Sequence, residues 1–190
     1  MNPNWQPTLE NDLLIVKPLT AEDFDNLCKV ASDPLIWEQH PAKERSTKAG
    51  FEPFFEEAME SKGAFVVIDK KSGEVIGSTR YYPVMESANA IEIGWTFLAR
   101  QYWGGHYNKS LKKLMMDYAF RFVDHVLFYI HETNFRSQKA VENIGGKRIT
   151  HLNNTPLTTR STATVIYGVS SNGDGGTPTA QAVNPYYASR

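Results

Sequence analysis

The stretch from Ala90 to Gly145 changes its hydrophobic period again and again, and few folds tolerate that order of elements. From Ala90 to Leu98 the residues alternate, with Ile91, Ile93, Trp95 and Phe97 on one face and Glu92, Gly94 and Thr96 on the other, which predicts a strand. A loop with two adjacent glycines follows. From Asn108 onward Leu111, Leu114, Met115, Tyr118, Ala119 and Phe122 form an apolar stripe with lysines on the opposite side, the pattern of a helix packed on a sheet. Val126 to Ile130 is a continuous apolar run, expected of a strand covered on both faces, and Arg136 to Ile144 reads as a helix capped by Gly145. Strand, helix, strand, helix in this order predicts an α/β chain with helices on both faces of a sheet.

The first half supplies more strands. Leu13 to Lys17 reads as a strand, and Thr20-Ala-Glu-Asp then reads as the cap of a helix whose stripe is Phe24, Leu27, Cys28 and Ala31, until Asp33-Pro34 breaks it. The lone cysteine, Cys28, therefore sits in packing and forms no internal disulfide. A second helix is predicted over residues 51–62, and strands at residues 64–69 and 75–82 form a hairpin around Lys70-Lys-Ser-Gly73. Two final strands are predicted at residues 147–152 and 162–169. Beyond them residues 171–190 lose apolar periodicity and are rich in small and polar residues, so the single domain is expected to end near residue 170 and the remainder to be a flexible tail.

Charge and composition limit the partners. With 20 basic against 21 acidic residues among 190, the chain has no strong field for nucleic acid, and no apolar run approaches the roughly 20 residues that cross a bilayer. The N-terminal sequence lacks a basic and apolar leader, which predicts a cytoplasmic protein. Chemistry concentrates between Ala99 and Asn108. A glycine turn at a helix start exposes unpaired N–H groups beside the positive end of the helix dipole, an arrangement suited to phosphate. The same residues would equally serve as a tight turn at Gly104-Gly105 with Asn108 as a helix cap.

The run Arg100-Gln101-Tyr102-Trp103-Gly104-Gly105-His106-Tyr107, set between a strand and an amphipathic helix, resembles the pyrophosphate loop of GNAT N-acetyltransferases, whose pattern is Gln/Arg-x-x-Gly-x-Gly/Ala. Asn134-Phe-Arg-Ser137, opening a helix that ends at Gly145, resembles the family's next strand-to-helix junction. Ser32-Asp-Pro-Leu-Ile-Trp-Glu-Gln-His-Pro41 is similar to the branch that acetylates ribosomal-protein N termini. The likeness spans about residues 10 to 169.

The resemblance implies a mixed sheet, mainly antiparallel and splayed between residues 90–98 and 126–130, with acetyl-CoA entering the splay as acetyl donor and no metal. It implies cofactor binding by Phe97, Leu98, Arg100, Gln101, Gly104, Gly105, His106, Tyr107, Asn108, Asn134 and Ser137. His106 stands where the family has a second small residue. Glu92 is similar to the family's proton acceptor for the attacking amine, against the ordinary reading of a solvated strand carboxylate. Ser137 would donate to the CoA sulfur and Asn134 to the pantetheine arm, or either would simply cap a helix. Trp37, Glu38 and His40 fall at the family's acceptor site, where Trp37 would otherwise fill core. His131 and Glu132 end the strand near the reaction centre and are not assigned a role. Val141 occupies the position of the family's tyrosine acid, so no such acid is carried over. The implied activity is acetyl transfer to a primary amine, of a small molecule or a protein N terminus. A non-catalytic acyl-CoA sensor and a CoA-independent binding domain are the alternatives. An exposed edge strand near the C terminus would let two copies pair.

Overall fold

The computed structural model describes residues 3–84, 89–159 and 161–171; the expected tail falls almost wholly outside them. Eight strands form one sheet: β1 (Leu9–Glu10), β2 (Leu14–Pro18), β3 (Ala64–Asp69), β4 (Val75–Pro83), β5 (Ala90–Leu98), β6 (His125–His131), β7 (Lys147–Ile149) and β10 (Thr164–Ser170). Their order is β1-β2-β3-β4-β5-β6-β10-β7, antiparallel throughout except for β5 against β6. Among the described residues the α-helices are α1 (Phe24–Ala31), α2 (Lys48–Glu60), α3 (His106–Ala119) and α4 (Phe135–Glu142).

Two apolar layers sandwich the sheet. Leu111, Met115 and Ala119 of α3 and Val141 of α4 pack on Val16, Phe65, Ile93, Val126 and Phe128. On the other face Leu27 and Ala31 of α1 and Phe51, Phe54 and Phe55 of α2 pack with Trp37, Val66 and Phe97. Cys28 lies half-buried against this second layer, where the helical stripe puts it. No helix among the described residues is long and apolar enough to cross a membrane.

The splay expected between the fifth and sixth strands is present. β5 and β6 pair in parallel only at Ala90, Ile91 and Glu92, opposite His125, Val126 and Leu127, and then diverge. A second irregularity corrects the predicted alternation of β5. The β4–β5 register slips between Ser78 and Arg80, and Trp95 takes φ +50°, a backbone conformation rare for an aromatic residue. One residue is thereby inserted, and the faces exchange. Ile91 and Ile93 join the α3 layer, whereas Trp95 and Phe97 turn to the α1/α2 layer and Thr96 faces α3.

Other boundaries also move. α2 begins at Lys48, three residues before its expected start, because Thr47 Oγ1 accepts from the Gly50 N–H at 3.1 Å as an N-cap. α3 begins at His106 and ends at Ala119, so Phe122 lies beyond it and is 39% exposed. The strand expected over residues 147–152 is broken: β7 joins the main sheet, and β8 (His151–Leu152) folds onto β9 (Thr155–Pro156) as a separate ribbon.

Candidate active site

Where β5 and β6 part, no strand among the described residues fills the gap and two adjoining cavities are found, of about 160 and 170 Å³. Thr96, Asn108, Asn134, Ser137 and Ala140 line both, so the two form one cleft through the sheet. Its far wall on the α2 side continues into a third cavity bordered by His40, Arg45, Glu92, Trp95 and Tyr129. An extended ligand entering by the loop after β5 could thus reach a separate opening on the other side.

The loop after β5 is built by its glycines and its tryptophan. Gly104 has φ +67°, the left-handed region that favours glycine, and Gly105 is the N-cap of α3. Trp103 Nε1 donates to the Leu98 carbonyl at 2.8 Å and folds the loop back on its own strand. The N–H groups of His106, Tyr107 and Asn108 open α3 with no side chain capping them and no acid in the first turn. Gly104 and Asn108 border the cleft with Phe97 and Leu98. The remaining loop residues divide differently. Arg100 pairs with Asp33 and, with Gln101, borders a groove outside the splay. Tyr107 donates from its hydroxyl to Asp69 at 2.9 Å, which ties the start of α3 to the end of β3. His106 is exposed and, like Gly105 and Tyr107, borders neither cavity of the splay.

Across the cleft, Asn134 is the N-cap of α4. Its Oδ1 accepts from the Ser137 N–H at 3.1 Å, and the residue is 9% exposed. Ser137 therefore receives the cap and does not provide it; its side chain is left to border both cavities. Val141, one turn further, is buried on the first cavity and brings no acid. Arg136, unassigned by its sequence position, lies with its guanidinium 4.0 Å from the centre of the Trp103 ring and donates to the Ile36 carbonyl at 2.9 Å. It joins the two arms of the splay to the segment before α2.

Trp37 is only 4% exposed, with Nε1 donating to the Ala31 carbonyl at 2.8 Å. It fills core and shows one side to the cleft, so both readings of it hold in part. Glu38 is exposed and borders no described cavity. His40 borders three cavities. Burial, followed by the nearby charge of Arg45, lowers its pKa to about 4, so it is neutral at pH 7. Its Nδ1 accepts from the Ala42 N–H at 3.0 Å, which assigns the proton to Nε2 and makes that nitrogen a donor. Glu92 is 1% exposed on the acceptor-side wall, not the solvated carboxylate that a strand position allows. His131 borders the first cavity and shares a hydrogen bond with Thr133, while Glu132 is exposed.

Lys112 corrects the expectation that the lysines of α3 face away. Lys109 and Lys113 are exposed, but Lys112 is 5% exposed and its Nζ donates to Thr96 Oγ1 at 2.5 Å inside the cleft. It stands one turn below Asn108 and one above Met116, at the margin of the apolar stripe. That spacing was the available signal, masked by the general solvation of lysines. Burial lowers its pKa to about 7, against an opposing pull from Glu92. Arg45, in a connection without periodicity, gave no signal; its guanidinium stacks 4.3 Å from the centre of Phe54 and borders the acceptor side.

Comparison with known proteins follows the same lines. The family model described as "Acetyltransferase (GNAT) domain" matches residues 13–147. No curated protein matches this chain in sequence. Among solved structures, a GCN5-related N-acetyltransferase from Brucella melitensis is similar with a TM-score of 0.72 at 22% identity, covering 88% of this chain and 80% of that one. RimJ from Mycobacterium smegmatis, in complex with CoA-disulfide, gives 0.66 at 14% identity over 90% and 91% of the two chains. The ribosomal-protein-S5-alanine acetyltransferase from Vibrio fischeri gives 0.61 at 16% over 90% and 99%. Identities this low speak to the fold.

Proposed function

Because the chain belongs to the GNAT acetyltransferase family, whose members use acetyl-CoA, we propose that it transfers an acetyl group from acetyl-CoA to a primary amine, a protein N terminus being the first candidate acceptor. The observation that carries this reading is the parting of β5 and β6 beside the uncapped start of α3. The residues present suit the donor: first-turn N–H groups and the Gly104 turn for its pyrophosphate, Asn134 and Ser137 for its arm, and a through-going cleft for its thioester. When bound, acetyl-CoA supplies an activated acyl carbon and a thiol leaving group. The chain's part is to align the amine with that carbon and to manage protons.

On the acceptor side Glu92 takes the proton of the attacking amine, directly or through water, from its place between the splay and the α2 face. Neutral His40 offers an Nε2–H to an acceptor carbonyl, and Arg45 with Trp95 and Tyr129 shapes the opening. Ser137 hydrogen-bonds the sulfur. The domain is taken to be residues 1–170, acting in the cytoplasm, singly or as a pair.

Val141 at the tyrosine position favours one other reading, an acyl-CoA sensor without turnover. Calorimetry with acetyl-CoA, followed by thiol release with a library of amines and N-terminal peptides, separates the two. Binding with release of one thiol per amine acetylated is expected. Binding without release from any acceptor supports the sensor, and no binding overturns both readings.

A further inference from the structure

The cleft contains a buried ammonium that the reading so far leaves without work. Lys112 is held on α3, one turn from Asn108, with Nζ on Thr96 Oγ1, and it borders the same cavity as Ser137 and Val141. Burying a lysine head is costly, and the hydrogen bond to Thr96 and the Phe128 ring, whose centre lies 5.4 Å from Nζ, offset that cost only in part. The position therefore calls for a role. We propose that Lys112 is the proton donor to the departing CoA sulfur, in the place left vacant by Val141; this rests on the acetyl-transfer reading above.

The step balances without a further reactant. The acceptor nitrogen forms its bond to the acyl carbon while the carbon–sulfur bond breaks, and the sulfur keeps the electron pair. Lys112 gives one proton from Nζ to the sulfur, and Glu92 receives one from the nitrogen. Return of that proton through water restores Lys112 as an ammonium and Glu92 as a carboxylate. Geometry suits this circuit, because Glu92 borders the acceptor side and Lys112 the α3 side of one gap. A lysine whose pKa lies near 7 is well matched to a thiol, because about half of it carries the proton at neutral pH and the charged form gives that proton up readily. The titratable groups that share its cavity are Tyr129 and His131 from β6 and His40 and Arg45 from the segment before α2, and Glu92 from β5 acts on it electrostatically. Of these, Glu92 favours its charged form.

The bound thiol itself reports the contact without any turnover. Titrating CoA bound to the parent chain by its ultraviolet thiolate absorbance, with desulfo-CoA as blank, should show thiolate forming about one to three pH units below free CoA, in a step near neutral pH that the thiol shares with Lys112 because the two protons are coupled. Lys112→Met should bring it back to or above the free value. In single turnovers the same substitution should lower the rate about a hundredfold, the low end for a positioned general acid, and remove the decline of rate above neutral pH. A bound thiol that titrates like free CoA in a chain that acetylates amines overturns the Lys112 assignment alone. A lowered thiol in a chain that turns over no amine overturns the transfer reading and the catalytic role together. If Lys112→Met fails to fold, the parent titration still decides the contact.

Discussion

Asn134 and Ser137 were interchangeable as helix caps in the sequence, and the backbone separates them. Asn134 satisfies the Ser137 N–H, while the Ser137 side chain borders the cleft. Asn134→Ala should therefore lose about 0.5–2 kcal/mol of stability, as removal of an N-cap does. Ser137→Ala should change stability by less than about 0.5 kcal/mol. If its hydroxyl bonds the leaving sulfur, turnover should fall by roughly one to two orders of magnitude, the worth of a hydrogen bond to a charged partner. Thermal melts beside single-turnover assays read the two effects apart. A Ser137→Ala chain that is both stable and fully active would remove the hydroxyl from the mechanism.

At the scale of elements, the loop before α3 and the bulge in β5 position the site. A Cβ at Gly104 would meet no atom within 4 Å, so its glycine is required by φ +67° and not by crowding within the protein. Gly104→Ala should thus cost about 1–2 kcal/mol of backbone strain, or move the loop and displace the N–H groups at the start of α3. Calorimetry should then show weaker acetyl-CoA binding in a chain that still folds. Unchanged affinity would place the pyrophosphate elsewhere. The bulge at Trp95 works differently: it leaves Glu92 on the acceptor side and brings Thr96 round to Lys112. No period-two reading of β5 contains that exchange of faces, because a bulge is fixed by the strands on either side.

For the whole molecule, a buried cation couples the site to global stability. Lys112 titrates near 7 in the folded chain against 10.5 when unfolded, so between these values the unfolded state binds the extra proton and stability rises with pH. The burden is full below about pH 7. There Lys112→Met should be more stable than the parent by on the order of a few kcal/mol, the gain shrinking toward pH 10.5. Chemical denaturation across this range measures it, and a pH-independent difference would mean that the ammonium is solvated.

Local sequence determined the elements and their order. Period-two and period-four patterns name the strands and helices because each must bury one face, and the glycine loop before α3 was legible because few residues allow that turn. Tertiary structure decided the rest. The short pairing of β5 with β6, the reversal of faces at Trp95, the burial of Lys112 and the arrival of Arg45 and Arg136 at the cleft depend on residues far apart in the chain. A side chain's surroundings, and with them its charge state and chemistry, exist only once those distant segments have packed.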